Sequence, residues 1–190
     1  AIMNVEDDNS ILKKFNLSNN YYLMIQHPVT SEIDQAENQI SVTLDAIIET
    51  GIEVLIILPN NDAGYSNIMK KIISSNLKYV DSLSIKDYVN LLKRSKGLIG
   101  NSSSGIHETN TFDIPTINIG TRQAGRLRSE NIIDTGYNKE EIIEAILYCN
   151  NLIKTSYDKI YGVGDSSQQI VNLLKEISLD KNVIQKQITY

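Results

Sequence analysis

The residue types most able to do chemistry gather in one stretch, Gly97-Leu98-Ile99-Gly100-Asn101-Ser102-Ser103-Ser104-Gly105-Ile106-His107-Glu108. A short apolar run passes into small hydroxyl-bearing residues and then directly into a helical pattern. Unpaired N–H groups at a helix start, with the positive end of its dipole, favour an anion, and glycine and serine let a phosphate approach closely. The spacing is neither GxGxxG nor a P-loop, since no Gly-Lys-Ser/Thr follows. The same residues also make an ordinary serine-rich N-cap, so on this stretch alone both readings stand. Glu108 lies about one turn into that helix, where a phosphate gives no reason for an acid. A carboxylate there can accept two hydrogen bonds from a vicinal diol such as ribose; it is equally a favourable acid in a first helical turn.

Other candidates follow other apolar runs. Gly120-Thr121-Arg122-Gln123-Ala124-Gly125-Arg126 places Arg122 and Arg126 in a loop that neighbours the serine-rich one in a sheet. A guanidinium grips phosphate oxygens bidentately, although a single loop arginine is usually just solvated. His27, before Pro28, ends the first apolar run. It can donate to a phosphate or pass a proton, or be satisfied within its own turn. Pro59-Asn60-Asn61-Asp62-Ala63-Gly64 can face the same cleft, but Asn, Asp and Gly together are ordinary turn chemistry. Tyr157, Lys159, Tyr161, Gly162 and Gly164 read as a packed hinge, and His107 as structural. His27, His107 and Cys149 have no metal-ligand spacing, and no Ser/His/Asp or Cys/His set can be named.

These residues need elements to position them. Apolar runs at 21–26, 54–58, 78–80, 97–100, 116–119 and 131–134 read as strands. Between them lie amphipathic helical patterns at 31–50, 66–74, 84–94, 103–111 and 139–152, with a last helix after Asp165. Ser31-Glu32-Ile33-Asp34 offers a capping box, Gly51 a helix stop, and Asn138 and Asp165 further N-caps. The last helix carries Ile170, Val171, Leu173, Leu174 and Ile177 as its apolar face. The strands are continuously apolar and alternate with helices. That predicts a Rossmann-like α/β parallel sheet with helices on both faces. Ligands of such sheets sit beyond the carboxyl ends of the strands, where the candidates above fall. The expected organisation is a polar lead-in at 1–20, solvated except for a short helix at 11–15, then one domain at 21–180 and a tail at 181–190.

Composition narrows the function classes. At 190 residues with 41% hydrophobic content, the chain suits one compact domain burying roughly 70% of its unfolded surface. Net charge is −5, from 18 Lys+Arg against 23 Asp+Glu, and the basic residues are scattered. That argues against a nucleic-acid surface but not against one small phosphate compound. The single Cys149 cannot form an internal bridge. There is no run of ~18 apolar residues and no signal-peptide pattern, so a cytoplasmic chain without a membrane span is expected.

Five stretches, in order, resemble the hydrolysing UDP-N-acetylglucosamine 2-epimerases over residues 21–180. They are Gln26-His27-Pro28-Val29-Thr30, Pro59 to Gly64, Gly100 to Glu108, Pro115 to Arg126, and Lys159-Ile160-Tyr161-Gly162. The resemblance is to the C-terminal half of that glycosyltransferase-B-type fold, in which two Rossmann-like domains hold a nucleotide sugar between them. It implies diphosphate binding by Ser102, Ser103 and the Ser104 backbone, ribose binding by Glu108, and phosphate contacts from Arg122 and His27. Arg126 joins the substrate-binding set, and the base lies near 82–88, including Tyr88. The Asn-Ser-Ser-Ser-Gly form favours the hydrolysing branch over the Asp-Ser-Gly-Gly form of its relatives. The implied reaction eliminates UDP from UDP-N-acetylglucosamine to a glycal-like intermediate, and water addition then gives N-acetylmannosamine for sialic-acid-type sugars. No cofactor or metal is implied. His27 is the one candidate catalytic group here, because the main acid–base carboxylates belong to an N-terminal domain that no region of this chain matches. The isolated chain is therefore expected to be inactive, and the parent enzyme to self-associate. A glycosyltransferase nucleotide domain, disfavoured by the Gly-Thr-Arg-Gln loop, and a non-catalytic nucleotide-binding module are the alternatives. The resemblance leaves base and sugar open among UDP-, GDP- and diacetamido-sugar relatives.

Overall fold

The structure is a computed structural model that describes residues 2–152 and 156–178. Six strands form one parallel sheet: β1 (Tyr21–Ile25), β2 (Glu53–Ile57), β3 (Tyr79–Val80), β4 (Leu98–Gly100), β5 (Thr116–Ile119) and β6 (Ile132–Thr135). Their order is β3-β2-β1-β4-β5-β6, the doubly wound Rossmann arrangement, as expected. The continuous apolar runs follow from burial on both faces. Tyr22, Met24, Val54 and Ile56 point to one side, and Tyr21, Leu23, Ile25 and Leu55 to the other.

Helices cover both sides. On the first face α2 (Ala36–Thr50) presents Ile40, Leu44 and Ile47, α3 (Tyr65–Ser74) Ile68 and Ile72, and α6 (Lys139–Asn151) Ile142 and Ile146. On the second face α4 (Ile85–Arg94) contributes Leu91 and Leu92, and α1 (Ile11–Lys14) Ile11. α5 (Ser104–Thr111) follows β4, with Gly105 pressed against Leu98 and Thr116. The local signals work where partners are local. Ser84 Oγ accepts from Asp87 N at 3.0 Å, Asn138 Oδ1 accepts from Glu141 N at 2.9 Å, and Gly51 takes the left-handed conformation (φ 65°) that ends α2.

Three expectations need correction. The lead-in is not simply solvated: Ile11 is fully buried, with Leu12, Phe15 and Leu17 packed around it. The capping box at Ser31 does not form. Residues 30–35 make a 3₁₀ stretch instead, α2 starts at Ala36, and Glu32 accepts from Gln39 Nε2 and Thr121 Oγ1, each at 2.6 Å. The last helix, α7 (Ser166–Glu176), has no side-chain cap from Asp165, and its apolar face stands exposed. The tail expected at 181–190 lies outside the described residues. Among the described residues no helix is long and apolar enough to cross a membrane.

Candidate functional site

Strand order reverses between β1 and β4, so the chain leaves these neighbours in opposite directions and opens a crevice at their carboxyl ends. The crevice is tightly drawn. Gly100, at φ +123°, runs so close to β1 that a Cβ there would stand 2.1 Å from the Ile25 carbonyl oxygen. Asn101 follows and ties the rim together. Its Oδ1 accepts from His27 N at 2.7 Å and its Nδ2 donates to His27 O at 2.8 Å. Its own carbonyl accepts from Arg122 Nη1 at 3.2 Å and Gln123 Nε2 at 2.8 Å. One buried asparagine thus sets the spacing of the loops after β1, β4 and β5.

The serine-rich turn comes next. Ser103 occupies the N-cap position of α5 without a side-chain cap bond. The Ser104 N–H meets Ser102 Oγ at 3.3 Å, a weak internal contact that a ligand oxygen can replace. The Ser104 hydroxyl is held by the Tyr88 hydroxyl. Burial pushes the Tyr88 phenol far above its ordinary pKa; the Ser104 bond opposes this and the nearby Glu108 carboxylate adds to it. Tyr88 therefore stays neutral at physiological pH. Glu108 itself is half-buried, one turn along α5.

Arg122 reaches the same crevice, where Nη2 lies 3.9 Å from Asp62 Oδ2 in addition to its bond with Asn101. Arg126 does not join it. That side chain is exposed and donates from Nη1 to His107 Nε2 at 3.0 Å, while the His107 ring meets Tyr161 edge-on at 4.3 Å. The structure thus gathers His27, Tyr88, Ser102, Ser103, Ser104, Glu108 and Arg122 and leaves Arg126 exposed against His107. Lys159 donates to Asn110 O at 2.6 Å and pairs with Asp113, so the aromatic–glycine connection is fastened to the end of the same helix.

His27 stands between two openings. A cavity of about 420 Å³ is lined by His27, Leu58, Ser82, Tyr88, Ser102 and Ser104. The other, about 460 Å³, is lined by Thr30, Glu32, Asp62, Thr121 and Arg122. Burial chiefly, then the Arg122 charge, lowers the imidazole pKa from its usual value, while Asn60 and Asp62 pull it up. The ring is neutral near pH 7. A third cavity, about 270 Å³, opens at the opposite end of the sheet beside Lys96 and Cys149. Burial pushes the Cys149 thiol up to about 12, which makes it a poor nucleophile. Among the described residues no three His, Cys, Asp or Glu side chains could hold a metal.

Asn60, Asp62, Asn101 and Thr121 lie in stretches that the sequence set beside the cleft, but none was given a role of its own, and Glu32 was read as part of a capping box.

A family model described as UDP-N-acetylglucosamine 2-epimerase matches residues 2–175. The UDP-N,N'-diacetylbacillosamine 2-epimerase (hydrolyzing) of Legionella pneumophila is 31% identical over 169 residues, which is 86% of this chain and 45% of that protein. Polysialic acid biosynthesis protein P7 of Escherichia coli is 35% identical over 141 residues, 71% of this chain and 36% of its own length. The UDP-GlcNAc 2-epimerase of Methanocaldococcus jannaschii, solved in complex with UDP-GlcNAc and UDP, superposes with a TM-score of 0.71 at 18% identity, covering 92% of this chain and 50% of that one. That likeness concerns the fold. The chain spans less than half the length of the curated relatives it matches.

Proposed function

Because the chain belongs to the UDP-N-acetylglucosamine 2-epimerase family, we propose that it is the nucleotide-diphosphate-binding half of a hydrolysing enzyme of that kind. Its substrate on this reading is UDP-N-acetylglucosamine, released as N-acetylmannosamine and UDP for sialic-acid-type sugars. The observation that carries the proposal is the convergence of Ser102–Ser104, Glu108, Arg122 and His27 on one crevice at the switch point of the sheet. Residues 21–180 act as one binding domain.

The chemistry divides accordingly. Elimination breaks the bond from the sugar's C1 to the diphosphate oxygen and removes the C2 proton; water then adds to the resulting double bond. The leaving diphosphate carries away the bonding pair, so fixed positive potential lowers the barrier. The start of α5, the Ser102 and Ser103 hydroxyls and the Arg122 guanidinium supply it. Arg122 exchanges its loose contact with Asp62 for phosphate oxygens, a bidentate partner. Glu108 accepts from the ribose hydroxyls, and the base enters the cavity beside Tyr88. His27 faces the phosphates and the sugar. Arg126 contributes from the outer edge if the loop after β5 shifts inward.

The remaining acid–base groups come from a second, N-terminal domain of the same enzyme, which also covers the bare apolar face of α7. The parent enzyme self-associates, and the buried single cysteine fits a cytoplasmic setting. Calorimetric titration with UDP, paired with an assay for N-acetylmannosamine, tests this division. The purified chain should bind UDP and show no turnover. Absence of UDP binding, or turnover by this chain alone, would contradict it.

A further inference from the structure

Two contacts meet at one nitrogen of His27. Nδ1 lies 3.0 Å from Asn60 Oδ1 and 3.2 Å from the Asn60 backbone nitrogen. Their demands are opposite. An amide oxygen only accepts, so it needs a proton on Nδ1; a backbone N–H only donates, so it needs a bare Nδ1 lone pair. No single neutral tautomer satisfies both.

The far end of the Asn60 side chain decides between them. Asn60 Nδ2 donates to Asp62 Oδ2 at 2.8 Å, a bond strengthened by the carboxylate's charge. Turning the amide over would set its oxygen against a carboxylate oxygen. Oδ1 is therefore held toward the ring, and the proton belongs on Nδ1. The His27 backbone is clamped from the other side by Asn101, so the ring cannot move away as a unit. Among the described residues Nε2 has no hydrogen-bond partner, and His27 lines the cavity beside Ser102 and Ser104.

We propose that Asn60 and Asp62 are positioning residues that hold neutral His27 as its Nδ1–H tautomer and present Nε2 to the crevice as a bare proton acceptor. The charged groups facing the ring are Arg122, from the loop after β5, and Asp62, from the loop after β2. In the free chain the ring accepts at Nε2 and cannot donate there. A diphosphate placed against it favours the imidazolium, so nucleotide binding draws one proton from the buffer onto Nε2. The ring then donates from both nitrogens, to Asn60 and to a phosphate oxygen. Only this last step rests on the proposed function; the tautomer belongs to the chain itself.

Nitrogen-15 NMR of the histidine rings in the full 190-residue chain reads the tautomer directly. The chain has only His27 and His107, and His107→Gln assigns them. Above the ordinary histidine pKa of about 6.5, His27 should show a protonated Nδ1 and a lone-pair Nε2. Asn60→Ala and Asp62→Ala should each shift the ring to mainly Nε2–H, with the Asn60 backbone N–H taking the freed Nδ1 lone pair. Asp62→Asn, which keeps an acceptor oxygen, should retain Nδ1–H. An Nε2–H tautomer in the unsubstituted chain overturns the proposal without any variant having to fold; so does either alanine variant that folds and leaves the tautomer unchanged. Titrating UDP in buffers of different ionisation enthalpy should show net proton uptake that His27→Gln abolishes. If the tautomer is as stated and UDP does not bind, the proposed function fails and the positioning role stands. If UDP binds an Nε2–H ring, the reverse holds.

Discussion

The rim of the crevice and the last helix both carry more specific side chains than a solvated surface needs, yet they are finished to different degrees. At the rim, several polar groups find partners inside the chain. Asn101 serves three loops, Glu32 receives Gln39 and Thr121, and Asn60 links His27 to Asp62. On α7 the apolar groups stand exposed among the described residues: Leu173 is 61% and Leu174 67% exposed, with Ile170 and Val171 beside them. Fully burying such a side chain contributes roughly 1.5–3 kcal/mol, so a bare row of four is a large unspent driving force. The difference is that contacts within the chain organise the rim, whereas among the described residues the apolar row of α7 is left facing solvent.

The largest expected effect separates the two regions by stability. Leu23→Ala, in fully buried β1, should cost about 2–5 kcal/mol in denaturant unfolding. Leu173→Ala and Leu174→Ala should stay within about 0.5 kcal/mol. An α7 variant as damaging as Leu23→Ala would break the comparison, because the helix would then already be packed. Next in size is the rim hub. Asn101→Ala removes both bonds to the His27 backbone and should cost about 1–3 kcal/mol for the groups left unpaired. Hydrogen exchange at the His27 amide should accelerate, and UDP affinity should fall with it. Ser84→Ala, which strips the α4 cap, should cost about 0.5–2 kcal/mol and leave His27 exchange unchanged.

The smallest effect is a pH slope. The folded-state pKa of His27 lies below its usual value, so the unfolded chain takes up the proton first. The His27 contribution to stability is complete above about pH 6.5 and is lost as pH falls through that value toward the lowered folded one. His27→Gln should flatten this part of the stability–pH curve. A steeper fall in the variant would mean that Arg122 and burial do not disfavour the imidazolium.

Much of the fold was legible because its signals are local. Continuous apolar runs with intervening amphipathic segments gave the parallel sheet, and Ser84, Asn138 and Gly51 cap helices within a few residues of themselves. The serine-rich turn, Glu108 and Arg122 were readable because they follow strands. What escaped reading depends on distant partners. Asn60 meets a ring 33 residues away and Asn101 a backbone 74 residues away, and no local pattern distinguishes either from a turn residue. Glu32 has the spacing of a capping box and is claimed by Gln39 and by Thr121, 89 residues on. The apolar face of α7 was legible from its spacing, while the cap expected from Asp165 does not form. Arg126 sits four residues after Arg122 in the same loop, yet beyond the turn at Ala124–Gly125 it meets His107, while Arg122 meets Asn101.

Thermal unfolding of the chain with and without UDP, repeated in Glu108→Ala and Arg122→Ala, tests most directly whether this crevice holds a nucleotide diphosphate. At a hundredfold excess over Kd, UDP should add about 2.7 kcal/mol of stability to the unsubstituted chain. Each variant should lose most of that gain while unfolding normally without ligand. No shift with UDP, or a shift that both variants retain in full, would contradict the account.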